Sequence, residues 1–497
     1  MRILMVASEL LPFAKVGGLG DVVASLSTAL GAMGHDVRCA LPAYARLDET
    51  LPASARVTAE RSISLTFSGG PTRVGLRWLE SDDLPAPLLL VDHELFRREG
   101  IYDDPATRLG YPDNGLRWAL FCRAVHASLG LDGWSPDVVH GHDHQAGPLM
   151  GLLRWAGRPA ALRRTPATVF TIHNVGYQGV EPPSWISESG LPASLHFPLG
   201  PLEYHAKVNL MKIGIRAADR ITTVSPRYAG EIRSDAEFGM GLEDDLALRA
   251  NRLTGILNGI DTDAWDPRKD PHLRYPYSAD ELVGKSRNRA ALREEMGLQT
   301  STAPAPLLAM VTRLAVQKGL DLMLPLMEAI LNTGMQIVIL GSGDERYEIE
   351  LQELAERRSG RMAVRIGFDE SLAHRIEAGA DIFAMPSRYE PCGLNQMYSL
   401  RYGTVPVVRA VGGLADTVVD LDENPERANG FVFRMWEQVE LFKAIHRAGR
   451  AWRNRKLWRE LMHRGMTTDF SWERSARAYT HTYDQALSDT DLGLAAG

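Results

Sequence analysis

Glu390 stands in Met385-Pro386-Ser387-Arg388-Tyr389-Glu390-Pro391-Cys392-Gly393-Leu394. The apolar run Ala380 to Met385 precedes it, and Leu394 to Tyr402 follows with apolar residues at helical spacing, so the spacing predicts a strand-to-helix turn carrying a carboxylate. In open α/β sheets, ligands gather outside the carboxyl ends of the strands and anions at helix N-termini. Glu390 is therefore a site candidate; the plainer alternative is a helix cap with Pro391 and Gly393 as turn residues. Lys15-Val16-Gly17-Gly18-Leu19-Gly20-Asp21 joins a cation, close-approach glycines and a predicted helix start, the ingredients of an anion cradle. It is not the dinucleotide fingerprint: the first strand ends near Ala7 and the glycine spacing differs from G-x-G-x-x-G. A flexible glycine loop is its alternative. Arg313 and Lys318 follow another apolar run, and two cations at a strand exit suit a diphosphate, or else form a solvated pair. Gly341-Ser342-Gly343-Asp344 and Gly412-Gly413-Leu414-Ala415-Asp416 are further glycine turns, each weak alone.

His140-Gly141-His142-Asp143-His144 has zinc-type ligands at close spacing, yet matches neither H-E-x-x-H nor a finger. Alternate residues at a strand end face one way, so a polar cleft wall is the favoured reading, ahead of plain structural histidines and of a metal site. His173-Asn174 ends another predicted strand and would point into the same crevice. Arg447, Arg450, Arg453, Arg455, Lys456 and Arg459 interleave with Trp452 and Trp458; helical periodicity makes this a solvated face with buried tryptophans rather than a nucleic-acid patch.

These residues need elements to position them. A chain of 497 residues exceeds what one core usually holds, which predicts two domains. The net charge of −7 argues against generic nucleic-acid or membrane-surface binding. Cys39, Cys122 and Cys392 suit a reducing cytoplasm, and no apolar run approaches the roughly 20 residues that span a membrane. Short apolar runs (Ile3 to Ala7, Val37 to Leu41, Pro87 to Val91, Val138 to His140, Thr168 to Ile172, Ile221 to Val224) alternate with helical patterns near Asp21 to Met33, Asn114 to Leu129 and Leu202 to Ala218. A second series runs through Leu307 to Val311, Gln336 to Leu340, Val364 to Gly367, Ile382 to Met385, Val405 to Val408 and Phe431 to Phe433. Such β/α alternation predicts mostly parallel sheet, with two halves that repeat one architecture and not one sequence. The expected boundaries are 1–254, a Gly-, Pro- and Asp-rich hinge at 255–280, a second domain at 281–470, and a helix and tail at 471–497. Trp472, Ala476, Tyr479 and Tyr483 give that last helix a packing face, expected to return to the first domain, with Ser488 to Gly497 expected to fray.

Taken together and in order, the Lys15 to Asp21, His140 to His144, His173-Asn174, Asn258 to Asp261, Arg313-Leu314 with Lys318-Gly319, Pro386 to Leu394 and Gly412 to Asp416 motifs resemble the bacterial glycogen synthase and plant starch synthase family over nearly the whole chain. The resemblance implies a GT-B fold, two Rossmann-like α/β domains facing across a deep cleft. It also implies retaining transfer of glucose from ADP-glucose to the non-reducing end of an α-1,4-glucan such as glycogen, with neither metal nor cofactor. Carried over by motif, Lys15, Gly17, Gly18 and Asp21 would hold donor phosphate and loop, Asp143 and His173 the sugar, and Asn258 the hinge side of the donor. Arg313 and Lys318 would hold the diphosphate, Glu390 would lie beside the glucose, and Cys392, Gly393 and Leu394 would shape its pocket. Cys392 has no readable base, so it counts as packing and not as a nucleophile. Phe368 stands where the family often has an adenine-stacking tyrosine, which keeps the ring and loses a hydroxyl. Rival readings are a GT-B transferase using a UDP-sugar, a silent glucan-binding protein, and a metal-dependent hydrolase built on His140 to His144. A homo-oligomer stays open.

Overall fold

A computed structural model gives the structure of the chain and describes residues 1–299 and 305–491. Two compact units divide it: Met1–Gly259 together with the residues from Trp472 onward, and Ile260–Ser471.

The first unit is built on β1 (Arg2–Val6), β2 (Asp36–Pro42), β3 (Arg56–Phe67), β4 (Gly70–Glu80), β5 (Leu88–Asp92), β6 (Val138–His142), β7 (Ala167–Ile172), β8 (Val180–Glu181), β9 (Glu203–Tyr204), β10 (Lys207–Asn209), β11 (Arg220–Thr223) and β12 (Leu253–Gly255). Nine of these form one sheet in the order β12-β11-β7-β6-β1-β2-β5-β4-β3. From β12 to β5 every pairing is parallel. Continuous apolar runs such as Ile3 to Val6 and Val169 to Ile172, Thr171 apart, are what a sheet covered on both faces requires. The chain winds outward from β1 through β2 to β5, then returns to the other side of β1 as β6, which makes a topological switch point between β1 and β6. Beyond β5 the sheet is extended by the antiparallel hairpin β3–β4, whose turn residues Ser68 and Gly69 both have positive φ, 50° and 78°.

Two sequence expectations change here. The helix expected over Leu202 to Ala218 is only Leu210–Ala217, because Asn209 caps it with its side chain on the Lys212 N–H, and His205 and Ala206 take positive φ in the β9–β10 turn. Ser488 to Asp491, expected to fray, continue the helix Trp472–Asp491, with Asp489 paired to Arg220 at 2.6 Å and to Arg252. The rest of the expected tail, 492–497, lies outside the described residues. This helix belongs to the first unit and buries Ala476, Tyr479, Tyr483 and Ala486 completely, one face at helical spacing.

The second unit has six parallel strands, β13 (Leu307–Val311), β14 (Gln336–Gly341), β15 (Met362–Ile366), β16 (Ile382–Met385), β17 (Val405–Arg409) and β18 (Phe431–Phe433), in the order β15-β14-β13-β16-β17-β18. The winding repeats that of the first unit: outward from β13 to β15, then back to β16 on its other side. A second switch point lies between β13 and β16. The stretch expected as a hinge, 255–280, is divided otherwise. Residues 253–255 are β12, the boundary falls at 259/260, and the following segment is fastened within the second unit. There the Trp265 ring stacks on His374 and on Tyr398, each at 3.7 Å, and Asp270 accepts hydrogen bonds from His374 Nδ1 at 2.8 Å and Tyr402 OH at 2.5 Å. Among the described residues no helix is long and apolar enough to cross a membrane.

Candidate active site

In the second unit, two loops leave the carboxyl ends of β13 and β16 at the switch point, carrying Arg313 with Lys318 and Pro386 to Leu394. Gln317 locks them together through its backbone and its side chain. Arg388 N–H donates to Gln317 O at 2.8 Å, and Gln317 Nε2 donates to Tyr389 O at 3.0 Å. Gly319 has φ +76°, and a Cβ there would lie 2.0 Å from Pro386 O, so only glycine permits this approach. A third loop joins at Gly412, where a Cβ would meet Glu390 O at 2.0 Å. Within this frame Lys318 Nζ donates to Glu390 Oε2 at 2.6 Å, and Ser387 Oγ donates to the same oxygen at 2.9 Å. Glu390 is buried. The helix begins only at Asn395, so Glu390 is not its cap: its carboxylate meets a cation and a hydroxyl, not helix N–H groups. Arg313 is exposed and donates to Gln317 Oε1 at 3.1 Å, with no carboxylate at ion-pair distance among the described residues. The site therefore offers one cation already matched to a carboxylate and one unmatched.

Cys392 is buried, and its backbone carbonyl accepts Gln396 Nε2 at 3.0 Å. Gly393 has φ +70° in the same turn. Leu394 precedes the helix start as its N-cap residue. Phe368 follows β15 and is 88% exposed.

In the first unit, the loop after β1 carries Lys15, whose Nζ donates to Asp21 Oδ1 at 2.8 Å, and the helix Gly18–Ala32 starts with Gly17 as its N-cap. The Gly17 N–H, expected to be open to phosphate, donates to Glu9 Oε2 at 2.9 Å, and the Val16 N–H donates to the same oxygen at 2.8 Å. Glu9 is buried and also accepts Tyr102 OH at 2.7 Å. Sequence reasoning passed over Glu9, although a carboxylate three residues past β1 was signal enough to ask what it holds. At Gly17 a Cβ would meet nothing within 4 Å, whereas at Gly20 it would sit 3.2 Å from Ala14 O, so the close-packed glycine of this motif is Gly20.

Strand β6 lies beside β1, and β7 beside β6. His140 and His142 lie inside the sheet layer and not on a cleft wall, because helices cover both faces of these strands and β6 runs on to His142. His140 pairs with Tyr483 OH at 2.9 Å and Thr171 Oγ1 at 2.6 Å. His144 sits in the helix Asp143–Gly151 and pairs with Tyr177 O at 2.9 Å. Burial lowers His140 and His173 to about 3 and His144 to about 4, so all three are neutral near pH 7. Asp143 holds φ +55°, an uncommon backbone for a non-glycine residue, and its Oδ1 accepts the N–H groups of His173 at 2.8 Å and Asn174 at 3.4 Å. Burial pushes its carboxyl up to about 7, against those two N–H groups. Asp143 thus fixes the backbone that carries His173, and His173 Nε2 in turn meets His142 Nδ1 at 3.0 Å. Asn258, after β12, is buried with its Oδ1 unpartnered.

The histidine motif does not gather as metal ligands. Among the described residues the close set is Asp270, His272 and His374, with ligand atoms within 4.8 Å of one another. Its carboxylate is already taken by His374, Tyr402 and the His272 N–H, an arrangement that pins the 265–272 segment.

The family profile described as starch synthase catalytic domain matches residues 2–248, and that of the glycosyl transferases group 1 matches residues 298–459. A glycogen synthase of Anaeromyxobacter sp. (strain Fw109-5) is 46% identical over 97% of this chain and 99% of its own, and one of Dechloromonas aromatica is 44% identical over 98% and 99%. The chain belongs to the glycogen and starch synthase family. It is a glycosyltransferase with the GT-B fold, acting with a nucleotide-sugar donor and a glucan acceptor. The catalytic domain of starch synthase IV from Arabidopsis thaliana, solved with ADP and acarbose, superimposes with a TM-score of 0.86 at 34% identity, covering 98% of this chain and 99% of that one. A sucrose-phosphate synthase from Thermosynechococcus elongatus, 18% identical over 98% of this chain and 99% of its own with a TM-score of 0.59, shares the fold.

Proposed function

We propose that the chain transfers glucose from ADP-glucose to the non-reducing end of an α-1,4-glucan with retention of anomeric configuration, releasing ADP in the cytoplasm. The observation that carries this reading is the Lys318–Glu390 pair at 2.6 Å beside the unmatched guanidinium of Arg313, at the switch point of the second sheet. Negative charge grows on the diphosphate as the glycosidic bond breaks, and positive charge grows on the sugar. Arg313 and Lys318 serve the first and Glu390 the second. As donor phosphate takes up Lys318, the Glu390 carboxylate turns its charge to the sugar carbon. The departing phosphate accepts the proton of the acceptor hydroxyl on the same face, so one carboxylate suffices. Attack by Glu390 as nucleophile is the competing route.

From the first unit, Lys15 supplies a further cation to the donor, and Asp21 and Glu9 keep its loop in place. His173 holds a sugar hydroxyl, Asp143 fixes the His173 backbone, and Asn258 offers its unpartnered Oδ1. Phe368 stacks on the adenine, and the turn at Cys392 to Leu394 borders the sugar. The three cysteines, none in a disulfide, fit a reducing compartment. Donor and product are tested together: ADP-glucose against UDP-glucose with glycogen as acceptor, with the product linkage and anomer read by NMR. Faster turnover of UDP-glucose, or an inverted product, would reject the proposal.

A further inference from the structure

Near the His173 backbone pinned by Asp143, the ring is held by one bond, His173 Nε2 to His142 Nδ1 at 3.0 Å. Both imidazoles are neutral, because burial lowers His142 well below its ordinary value and His173 to about 3. Two neutral rings share one proton across that bond, so the choice of donor decides the remaining nitrogen of each. If His173 donated, His142 would carry its own proton on Nε2. That atom is fully buried and has no partner. A buried N–H without an acceptor is rarely tolerated, whereas an unpaired lone pair costs less. If His142 donates from Nδ1, its Nε2 is a bare lone pair and the worse orphan is avoided. The His142 ring plane is itself fixed by His140, whose ring lies 4.1 Å away and is tied to Tyr483 and Thr171.

We propose that His142 is a positioning residue: it donates its Nδ1–H to His173 Nε2 and so holds His173 as the Nδ1–H tautomer, an N–H donor for a hydroxyl oxygen of the transferred sugar. The sugar contact rests on the function proposed above; the tautomer does not. His173 Nδ1 has no partner among the described residues, which leaves its proton for a ligand. His142, which does not itself meet the sugar, thus sets the direction of the hydrogen bond that the family resemblance gives to His173. A sugar hydroxyl that accepts from His173 is then free to donate its own proton elsewhere.

The test is a nitrogen–proton correlation spectrum of the full chain, labelled with 15N-histidine and without ligand, in which protonated and bare ring nitrogens differ in shift. His173 is assigned by its loss in His173→Gln. The expected result is a protonated Nδ1 and bare Nε2 on both His173 and His142; a protonated Nε2 on His173 overturns the proposal. In His142→Leu the His173 signals should become those of mixed tautomers and kcat should fall roughly five- to tenfold, the worth of one net hydrogen bond, with donor KM changing less. His142→Asn, whose amide N–H can stand in for Nδ1–H, should restore both. A folded His142→Leu with unchanged His173 signals also overturns it, and if that variant does not fold, the wild-type spectrum decides. The spectrum needs no donor, so the expected tautomer together with inactivity towards ADP-glucose would reject the donor reading and leave this inference standing.

Discussion

The two units repeat one winding and use it for opposite electrostatics. At the β1/β6 switch point the strand-end histidines are buried, neutral and bonded to other side chains, His140 to Thr171 and Tyr483 and His142 to His173, while the charged groups of the β1 loop are matched or held, Lys15 to Asp21 and Glu9 to backbone N–H groups. At the β13/β16 switch point the polar side chains are charged, set on loops, and in part unmatched: Lys318 with Glu390, and Arg313 exposed. Neutral donors suit sugar hydroxyls, whose charge barely changes in the reaction. Cations and a carboxylate suit a bond whose two ends acquire opposite charge. The division predicts that substituting the charged residues of the second unit's site costs the most turnover, while substituting the buried histidines of the first unit costs less turnover and changes pH-dependent stability.

The largest effect expected is at Glu390. Glu390→Gln keeps shape and the Ser387 contact but removes the charge, so kcat should fall by about a hundred- to thousandfold or more, while donor affinity measured by calorimetry changes far less. Near-normal turnover would break the comparison at its main point. Arg313→Ala and Lys318→Ala should each lower kcat by about a hundredfold, and Arg313→Lys by less, because charge without the planar fork keeps part of the contact. Their stabilities should differ. Arg313 is exposed and its loss should leave the melting temperature alone. Lys318→Ala leaves Glu390 buried beside only Ser387 and should destabilise the second unit by about 1–3 kcal/mol, measured by denaturant unfolding. The double mutant should cost less than the two losses summed, since both cations serve one leaving group. Single alanine variants within about threefold of wild-type turnover would make these surface charges.

The contrast between the units also explains what the sequence made legible. The apolar runs of β13, β16 and β18 coincide with the strands as read, because buried parallel strands are continuous and short. The site loops were legible because glycine, proline and charge concentrate there, and Gly319 and Gly412 turn out to be required by loop-to-loop approach. Partners distant in sequence were not legible: His142 with His173 and Asp143 with His173 depend on which strands neighbour which, while Glu9 with Gly17 depends on how one loop folds back on itself. The hairpin β3–β4 was missed although Ser68-Gly69 marks its turn, since its outer strand is mostly exposed and lacks an apolar run. The 255–280 segment looked like a linker by composition, whereas Trp265 and Asp270 fasten it by stacking and hydrogen bonds that composition does not show.

A smaller effect separates the units by pH. His140, His144 and His173 have folded pKa values depressed to about 3 to 4, below the usual 6.5, so their stabilisation is present above 6.5 and is lost as pH falls. Asp143, raised from 3.8 to about 7, acts the other way: its contribution is present below about 4 and lost as pH rises through 7. Three histidines outweigh one carboxyl, so the first unit should lose on the order of 2–5 kcal/mol between pH 7 and pH 5. In the second unit, burial raises Glu377 from 4.5 to about 8, a contribution lost as pH rises, so acidification over that range favours folding there. Hydrogen exchange, corrected for intrinsic rates, should show β6 and β7 losing protection at pH 5 while β13 and β14 do not. Equal loss in both units would remove the electrostatic contrast.

The smallest effect tests whether an exposed second-unit residue has any role apart from binding. Phe368 is 88% exposed and follows Gly367 at φ +123°, so it contributes little to packing, and Phe368→Ala should leave the melting temperature within about 1 °C of wild type. If the ring stacks on the donor base, the same variant loses about 1–3 kcal/mol of stacking, which raises donor KM roughly five- to a hundredfold with kcat nearly unchanged. Phe368→Tyr keeps the ring and adds a hydroxyl. Its gain is bounded by one solvent-exposed hydrogen bond, so donor KM should fall by no more than about fivefold. Steady-state kinetics against ADP-glucose and UDP-glucose with both variants checks the base contact directly. A Phe368→Ala enzyme with unaltered donor KM means that the exposed ring meets solvent even in the complex, and the adenine site must then be sought elsewhere around the carboxyl end of β15.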